Sequence, residues 1–594
     1  MQVVPRSPRA SPFLESRAAL ALILVVSAAV FALVSQRPLT HSEFRYVEAG
    51  AEMAAGGDWV VPHLAYVPYF EKPILAYWVE AAALLAFGTG VIAVRLQAIL
   101  SCVGMLYLTY ALGRSVRGRA FGVGAAALLL SSVYFTGMGS AVTTDPLFSA
   151  LLVLAWYAFR RHDVDPTGRW IWLFWTAVGL AVLTKGPLAI VFVGLSIGAY
   201  LALSGRLRDV KATRPWRGAA VLLAINLPWS LLVWARDPRF LEFFYVRQNF
   251  QAFFNGRINH PGPPWYYVSW LLLAMFPFVL LGAWALGSEL WTTFAAAARR
   301  RFGSAAESPD PARLYVACML LPPLLFLSVS SSKLGTYFLP LVPAVALLFA
   351  GWIADRLERP TGFVRWALLV QTAVLAVGLP IAMHLMTSRP ELADKIVEHR
   401  VVFGCAVAMM AVGFGVGGVA MARRRIVLGM AVASAATTAG VLCALPAIDV
   451  LATEYDAAVL MPRLIAARGP GERVILAGPC SEDFSVVLAL GERVAIWGAS
   501  RELGMGHFAE VTPPSTPIPA DPYDVGGPKL PLPANPWLFD DARLAAAWNG
   551  AERAWFVGKE SDLERLRATG LCAHVFVAND SRVIATNQPP PAER

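Results

Sequence analysis

Apolar residues run in long blocks up to about Leu445, and short polar turns rich in arginine separate the blocks. Each block suits a helix of about 15 to 25 residues, the length that crosses a hydrocarbon layer, and none shows the strict alternation of a half-buried strand. The pattern predicts about thirteen membrane spans, over 18–34, 93–112, 119–139, 145–159, 170–184, 187–203, 218–235, 265–288, 314–329, 336–354, 364–386, 402–422 and 427–447. The first follows Arg6, Arg9 and Arg17 and has no A-x-A cleavage site after it, so it reads as an uncleaved anchor rather than a signal peptide. A further apolar stretch, Ile74 to Val91, is interrupted by Glu80 and Gly88, and hydropathy alone does not decide whether it crosses.

Past Leu445 the period changes. Short β-rich runs at Arg473 to Ala477, Arg493 to Trp497, Ala554 to Val557, His574 to Val577 and Arg582 to Ala585 alternate with helical segments such as Asp540 to Trp548. Thr512 to Trp537 is rich in proline and reads as an irregular loop. The expected fold is therefore mainly α: a polytopic membrane bundle over 1–447, with a first outer loop at 36–92 that carries surface helices, followed by a soluble α/β domain over 448–594.

Composition fits the membrane reading. The 594 residues are 57% hydrophobic and 15% charged, with a mean hydropathy of +0.56, whereas a soluble domain carries about a quarter charged residues. A formal charge of +10 would suit nucleic acid, but the arginines sit between apolar runs, where a membrane protein keeps its cytoplasmic charge. Six cysteines show no CxxC or Cys/His spacing, which excludes a zinc module. Cys480 and Cys572, the two in the C-terminal domain, are open to either a disulfide or two separate thiols.

Charge also orients the bundle. With the N-terminus cytoplasmic and Ile74 to Val91 lying on the membrane surface, one side carries Arg114/Arg117/Arg119, Arg160/Arg161/Arg169, Arg206/Arg208/Lys211/Arg214/Arg217, Arg299/Arg300/Arg301, Arg356/Arg359/Arg365 and Arg423/Arg424/Arg425. Every basic cluster then obeys the positive-inside rule, and an odd number of spans places the C-terminal domain outside. If Ile74 to Val91 crossed, every later cluster would face outward.

This orientation gathers another set of residues at the outer boundary. The first outer loop holds Glu43, Arg45, Tyr46, Tyr69, Glu71 and Lys72; Asp145 opens a span, Lys185 ends one, and Lys333 and Tyr337 flank another. Each taken alone reads as a solvated or interfacial residue, but ionisable groups at membrane depth mark a site or a buried pair. Release of a lipid-linked phosphate needs Lys, Arg or a metal to take up negative charge. An acceptor hydroxyl needs a carboxylate base within hydrogen-bond reach. Outer-loop aromatics such as Tyr66, Tyr77, Trp78, Trp265, Tyr266 and Tyr267 suit either sugar stacking or interfacial anchoring.

The runs His41-Ser-Glu-Phe-Arg-Tyr46, Glu52-Met53, Gly57-Asp-Trp59 and Tyr69-Phe-Glu-Lys-Pro73 resemble the first outer loop of the polyprenyl-phosphate-dependent glycosyltransferases of the GT-C class. Within that class the chain is most similar to the bacterial aminoarabinose transferases that modify lipid A and to protein-mannosyltransferase-like enzymes. Thr144-Asp-Pro146, Thr184-Lys-Gly186, Leu227-Pro-Trp229, Arg236-Asp-Pro238, His260 to Tyr267 and Lys333-Leu-Gly-Thr-Tyr-Phe-Leu-Pro340 continue the match in order. The resemblance implies an inverting transferase of the bacterial inner membrane, moving a sugar from a polyprenyl-phosphate carrier to a lipid or surface-glycan acceptor on the outer face. It implies that Lys72 contacts the donor phosphate and that Glu71 with His260 holds a divalent metal. Arg45, Tyr46 and Tyr69 would line the same cavity, Asp145 would support it, and Lys333 and Tyr337 would lie near the donor entrance.

The chain also departs from the family pattern. Ser42-Glu43 stands where the family has Asp-Glu, and that Asp is the residue usually assigned catalysis; Gln248-Asn249 replaces a Glu-His pair, and Ala252 an Arg. Serine is no base at neutral pH without an activator. Three readings follow: Glu43 takes over as base, the acceptor is an already ionised phosphate, or the chain is catalytically impaired. From other functional classes, a transporter or flippase predicts inverted repeats and midplane breaks, which the sequence lacks, and a non-catalytic lipid-binding relative fits Ser42.

Overall fold

The computed structural model describes residues 15–37, 39–64, 67–166, 168–241, 244–245, 262–301, 310–358, 362–387, 399–453, 457–477, 484–492, 494–497, 538–579 and 581–591. They form two compact units. The first unit comprises 1–36, 95–232 and 252–447; the second comprises 37–94, 233–251 and 448–594. The Pro-rich run Thr512 to Trp537, and Cys480 of the disulfide alternative, lie outside the described residues.

The first unit is helical. Its leading helices are α1 (Arg17–Val34), α4 (Leu96–Arg117), α5 (Arg119–Leu130), α6 (Val133–Met138), α7 (Thr144–Val164), α8 (Gly168–Lys185), α9 (Leu188–Leu203) and α10 (Pro215–Arg236). Among the described residues, eight helices are long and apolar enough to cross a membrane, and Tyr266–Met275 with Val279–Arg300 make a ninth candidate bent by 113°. Arg119–Leu130 and Leu188–Leu203 are apolar but shorter. Burial separates core from rim: the segment Gly335–Leu357 is 83% buried, whereas Gly362–His384 is 17% buried and turns Val370, Val374 and Val377 outward. Such all-round apolar helices are stable only where lipid covers the exposed side.

Close helix crossings hold this core. Gly122 of α5 packs on α4 so tightly that a Cβ there would sit 2.4 Å from the Tyr110 carbonyl oxygen. The two helices approach at the backbone, as in small-residue membrane contacts. Buried Trp156, Phe159, Tyr200 and Tyr315 then fill the space between α7, α9 and the helix Pro311–Val329, with the Tyr315 hydroxyl donating to the Trp156 carbonyl at 2.6 Å.

The second unit begins with α2 (His41–Gly56), the two-residue strands β1 (His63–Leu64) and β2 (Val67–Pro68), and α3 (Leu75–Phe87). Its C-terminal part builds a six-stranded sheet in the order β5-β4-β3-β6-β8-β7, with β3 (Arg473–Ala477), β4 (Ala495–Trp497), β5 (Leu538–Phe539), β6 (Ala554–Gly558), β7 (His574–Ala578) and β8 (Val583–Thr586). The first four strands run parallel and β8 and β7 close the edge antiparallel. Ile475, Trp497 and Phe556 of the sheet pack with Leu544, Trp548, Leu563 and Leu566 of the helices Asp541–Trp548 and Glu560–Ala568. Each of the five β-rich runs read from the sequence overlaps one of these strands; β5 is the addition.

Candidate active site

In the second unit the site residues are placed by the entry into α2 and by the antiparallel pair β1 and β2. Thr40 precedes α2, and Glu43 reaches back to it as a Thr-x-x-Glu capping box does. The buried Glu43 carboxylate accepts from the Thr40 amide at 2.8 Å and the Thr40 hydroxyl at 2.9 Å, while Arg37 donates to its two oxygens at 2.7 and 2.6 Å. Three of these contacts fall on Oε2 and one on Oε1. The Ser42 side chain lies outside the described residues.

One turn further along α2, Arg45 and Tyr46 meet the segment that leaves β2. The Pro62 carbonyl accepts from the Tyr69 amide at 2.8 Å, and the Tyr69 hydroxyl donates to Glu71 Oε2 at 2.8 Å. Arg45 Nη1 stands 4.0 Å from the same Glu71 oxygen, and its guanidinium lies 5.8 Å from the Tyr46 ring centre. Tyr46 stacks on Tyr77 at 6.2 Å, and Tyr69 meets Tyr77 edge-on at 6.4 Å. Burial, followed by the Glu71 charge, raises the Tyr69 phenol well above its ordinary value, so it stays a donor. Lys72 is half-buried and donates to the Glu71 carbonyl at 3.3 Å; among the described residues its ammonium has no carboxylate partner.

Gly50 sets the spacing between α2 and α3, for a Cβ there would fall 2.6 Å from Cγ of the buried Glu80. Asp58 fixes the intervening turn: it accepts from the amides of Val60 and Val61 at 3.0 and 3.1 Å and from Arg236 at 2.6 Å. Burial pushes its carboxyl up, but the two amides and Arg236 outweigh that and leave it below its ordinary value.

The first unit holds the other expected residues. Thr143 caps α7, accepting from the Asp145 amide at 3.3 Å, and Asp145 forms a buried ion pair with Lys185 at the end of α8. The acid sits at a helix N-terminus and the cation at a helix C-terminus, where the helix dipoles favour them. Lys185 Nζ also lies 4.1 Å from the Tyr337 ring centre, a cation–π contact. Lys333 is buried and donates to the carbonyls of Ser328, at 3.0 Å, and Ser330; burial lowers its pKa. Nearby in sequence, the Tyr134 hydroxyl donates to the Gly335 carbonyl at 2.8 Å.

The structure thus groups Glu43, Arg45, Tyr46, Tyr69, Glu71 and Lys72 in one unit, and Asp145, Lys333 and Tyr337 in the other, where Lys185 links Asp145 to Tyr337. His260 lies outside the described residues. Among the described residues no three His, Cys, Asp or Glu side chains gather as a metal set. Glu71, the other expected ligand, accepts from Tyr69 through Oε2 and has Arg45 Nη1 4.0 Å from the same oxygen. Two residues escaped the sequence reading. Arg37 directs both nitrogens at Glu43, and Arg95, fully buried, donates to the carbonyls of Ser35 at 2.9 Å and Ser140 at 3.0 Å. Arg95 had a signal: a lone charge inside the apolar run Val91 to Leu100.

Residues 71–234 match the family model described as dolichyl-phosphate-mannose-protein mannosyltransferase. A curated undecaprenyl phosphate-alpha-4-amino-4-deoxy-L-arabinose arabinosyl transferase of Pectobacterium carotovorum is 30% identical over 374 residues, covering 60% of this chain and 65% of the relative. One from Sodalis glossinidius is 34% identical over 331 residues, covering 53% and 55%. The crystal structure of ArnT from Cupriavidus metallidurans bound to undecaprenyl phosphate aligns with a TM-score of 0.79 over 97% of this chain and 100% of that one, at 22% identity. This chain is similar in sequence and in fold to the aminoarabinose transferases of the GT-C class. The apo structure of the Cupriavidus metallidurans protein aligns equally well, at 0.79 over 97% of this chain and 99% of that one with 21% identity, which establishes a shared multi-pass membrane fold. The sequence matches to the two curated transferases span less than two thirds of the length of those relatives.

Proposed function

We propose that the protein is an inverting glycosyltransferase of the bacterial inner membrane that takes a sugar from a polyprenyl-phosphate carrier and places it on a lipid or surface-glycan acceptor at the outer face. The observation that carries this reading is Lys72, an ammonium without a carboxylate partner among the described residues, next in the chain to Glu71, whose carboxylate lies 4.0 Å from Arg45, and inside residues 71–234 that match the family model. An acceptor oxygen attacks the anomeric carbon; the bond from that carbon to the carrier phosphate breaks with its electron pair, and the configuration inverts. Lys72 and Arg45 stabilise the charge left on the phosphate. Tyr69 stays protonated and holds Glu71 in place.

The four hydrogen bonds on Glu43, two of them from the Arg37 guanidinium, stabilise its ionised form and weaken it as a base, which favours an acceptor that needs none, an ionised phosphate. The same arrangement favours, as a second reading, a lipid-binding relative without transfer. No step is assigned to a metal. Asp145, Lys185 and Tyr337 act as a positioning group, with Tyr337 and Lys333 beside the donor lipid. The remaining apolar helices, including α5, α7, α8 and α9, complete about thirteen spans. The charge rule, rather than length, keeps α3 on the surface, because every later basic cluster would face outward if it crossed, and this makes the N-terminus cytoplasmic and the C-terminal domain periplasmic.

Purified protein in lipid nanodiscs, given radiolabelled undecaprenyl-phosphate sugars and lipid acceptors bearing either phosphates or hydroxyls only, tests the proposal. Transfer to the phosphate-bearing acceptor supports it. Carrier binding without transfer to any acceptor establishes the second reading.

A further inference from the structure

At the end of α7 remote from Asp145, four elements lock together. His162 Nε2 lies 3.2 Å from the Ala212 carbonyl oxygen, and Trp175 Nε1 donates to the Thr213 carbonyl at 2.7 Å. A Cβ on Gly218 would sit 2.0 Å from the Trp175 ring, and one on Gly168 would reach Arg214 Nη1 at 3.8 Å. These contacts tie the end of α7, the start of α8, the 3-10 turn Leu207–Thr213 and the start of α10 into one platform.

The platform carries cations that its own acids do not neutralise. The guanidiniums of Arg161 and Arg169 both lie over the Trp170 indole, at 4.6 and 4.9 Å from the ring centre, so two like charges share one aromatic ring. Arg214 adopts φ 50, a left-handed conformation costly for a residue with a Cβ. Among the described residues Arg161, Arg169, Arg214 and Arg217 make no ion pair, and the exposed Asp165 of the same turn pairs with none of them. Their neighbours differ: Arg160 is paired with Asp163, and Arg206 with Asp163 and Asp209. Beside the cations Trp216 is 88% exposed, a large indole at the start of a membrane-length helix.

We propose that this platform binds the phosphate headgroup of an anionic membrane phospholipid. Arg161, Arg169 and Arg214 hold the phosphate, and Trp216 lies along the acyl chains. Guanidinium forks match phosphate oxygens, and basic groups beside a span draw anionic lipid. An indole at the polar boundary supplies the apolar half of the contact. Two positive charges gathered at one indole repel each other, and an anion bound beside them relieves that repulsion. The proposal does not rest on the transferase reading; the charge rule places the site at the cytoplasmic leaflet.

Native mass spectrometry of the full chain in detergent, titrated with phosphatidylglycerol, phosphatidylcholine or inorganic phosphate, tests it. Phosphatidylglycerol should bind roughly tenfold or more tightly than phosphatidylcholine. The combined R161Q, R169Q and R214Q variant should remove that preference, while R423Q, R424Q and R425Q together, at another exposed basic turn, should leave it intact. W216A should weaken the lipid several-fold. Equal binding of both lipids, an unchanged preference in the triple platform variant, or displacement by inorganic phosphate at equal concentration overturns the proposal. If the triple variant does not fold, R169Q alone gives the same reading, because that side chain is exposed.

Discussion

Lys72 and Glu43 lie in the same loop region yet have opposite surroundings, and the contrast sets what each substitution should do. Lys72 gives one weak bond to a backbone carbonyl, so Lys72→Ala should leave the melting temperature in place while kcat/KM for transfer falls by roughly 100-fold or more, as for loss of one group that stabilises developing charge. Glu43 instead joins Arg37 to the start of α2. Glu43→Gln should lower thermal stability and reduce kcat only in proportion to unfolding; a folded variant with kcat abolished would make Glu43 the base. Asp58 supplies a pH test. Its folded pKa is below the ordinary 3.8, so its contribution to stability is complete above that value and is lost as pH falls through the lower, folded value. Melting curves should therefore show Asp58→Asn trailing the parent protein at pH 6 and converging with it in strong acid.

At the scale of elements, backbone approach and buried charge dominate. Gly122→Ala forces a Cβ against the Tyr110 carbonyl, and overpacking of this kind costs about 1 to 3 kcal/mol, readable as a lower unfolding temperature in detergent. The pair Asp145 and Lys185 joins α7 to α8. Lys185→Met strands a buried carboxylate, a loss of about 3 to 5 kcal/mol, whereas Lys185→Met with Asp145→Asn should recover much of it. A double-mutant cycle on unfolding measures the difference, and equal losses in single and double variants would mean that the pair does not stabilise the fold. The helices themselves were legible because lipid enforces long apolar runs. The partners were not: the capping of Glu43 by Thr40 follows a local motif, but Arg37 closing on both its oxygens, or Lys185 lying over Tyr337, depends on chain segments that periodicity cannot bring together.

For the whole molecule, the proposed orientation predicts that a periplasm-dependent reporter fused after Asn587 is active and that a cytoplasm-dependent one is silent; the reverse would invert every loop. The sequence by itself determined a multi-pass membrane chain, its similarity to the aminoarabinose transferases, and the runs that overlap β3, β4, β6, β7 and β8, since hydropathy, motif order and alternation are all local properties of the chain. Tertiary structure alone decided which ionisable groups are occupied and which are free to act. It spent Glu43 on Arg37 and Thr40, closed Asp145 on Lys185, and left Lys72 with a backbone carbonyl. A carboxylate's chemistry is set by how many donors surround it and by its exposure to water, and both are fixed by residues distant in the chain or by turns whose geometry composition does not specify.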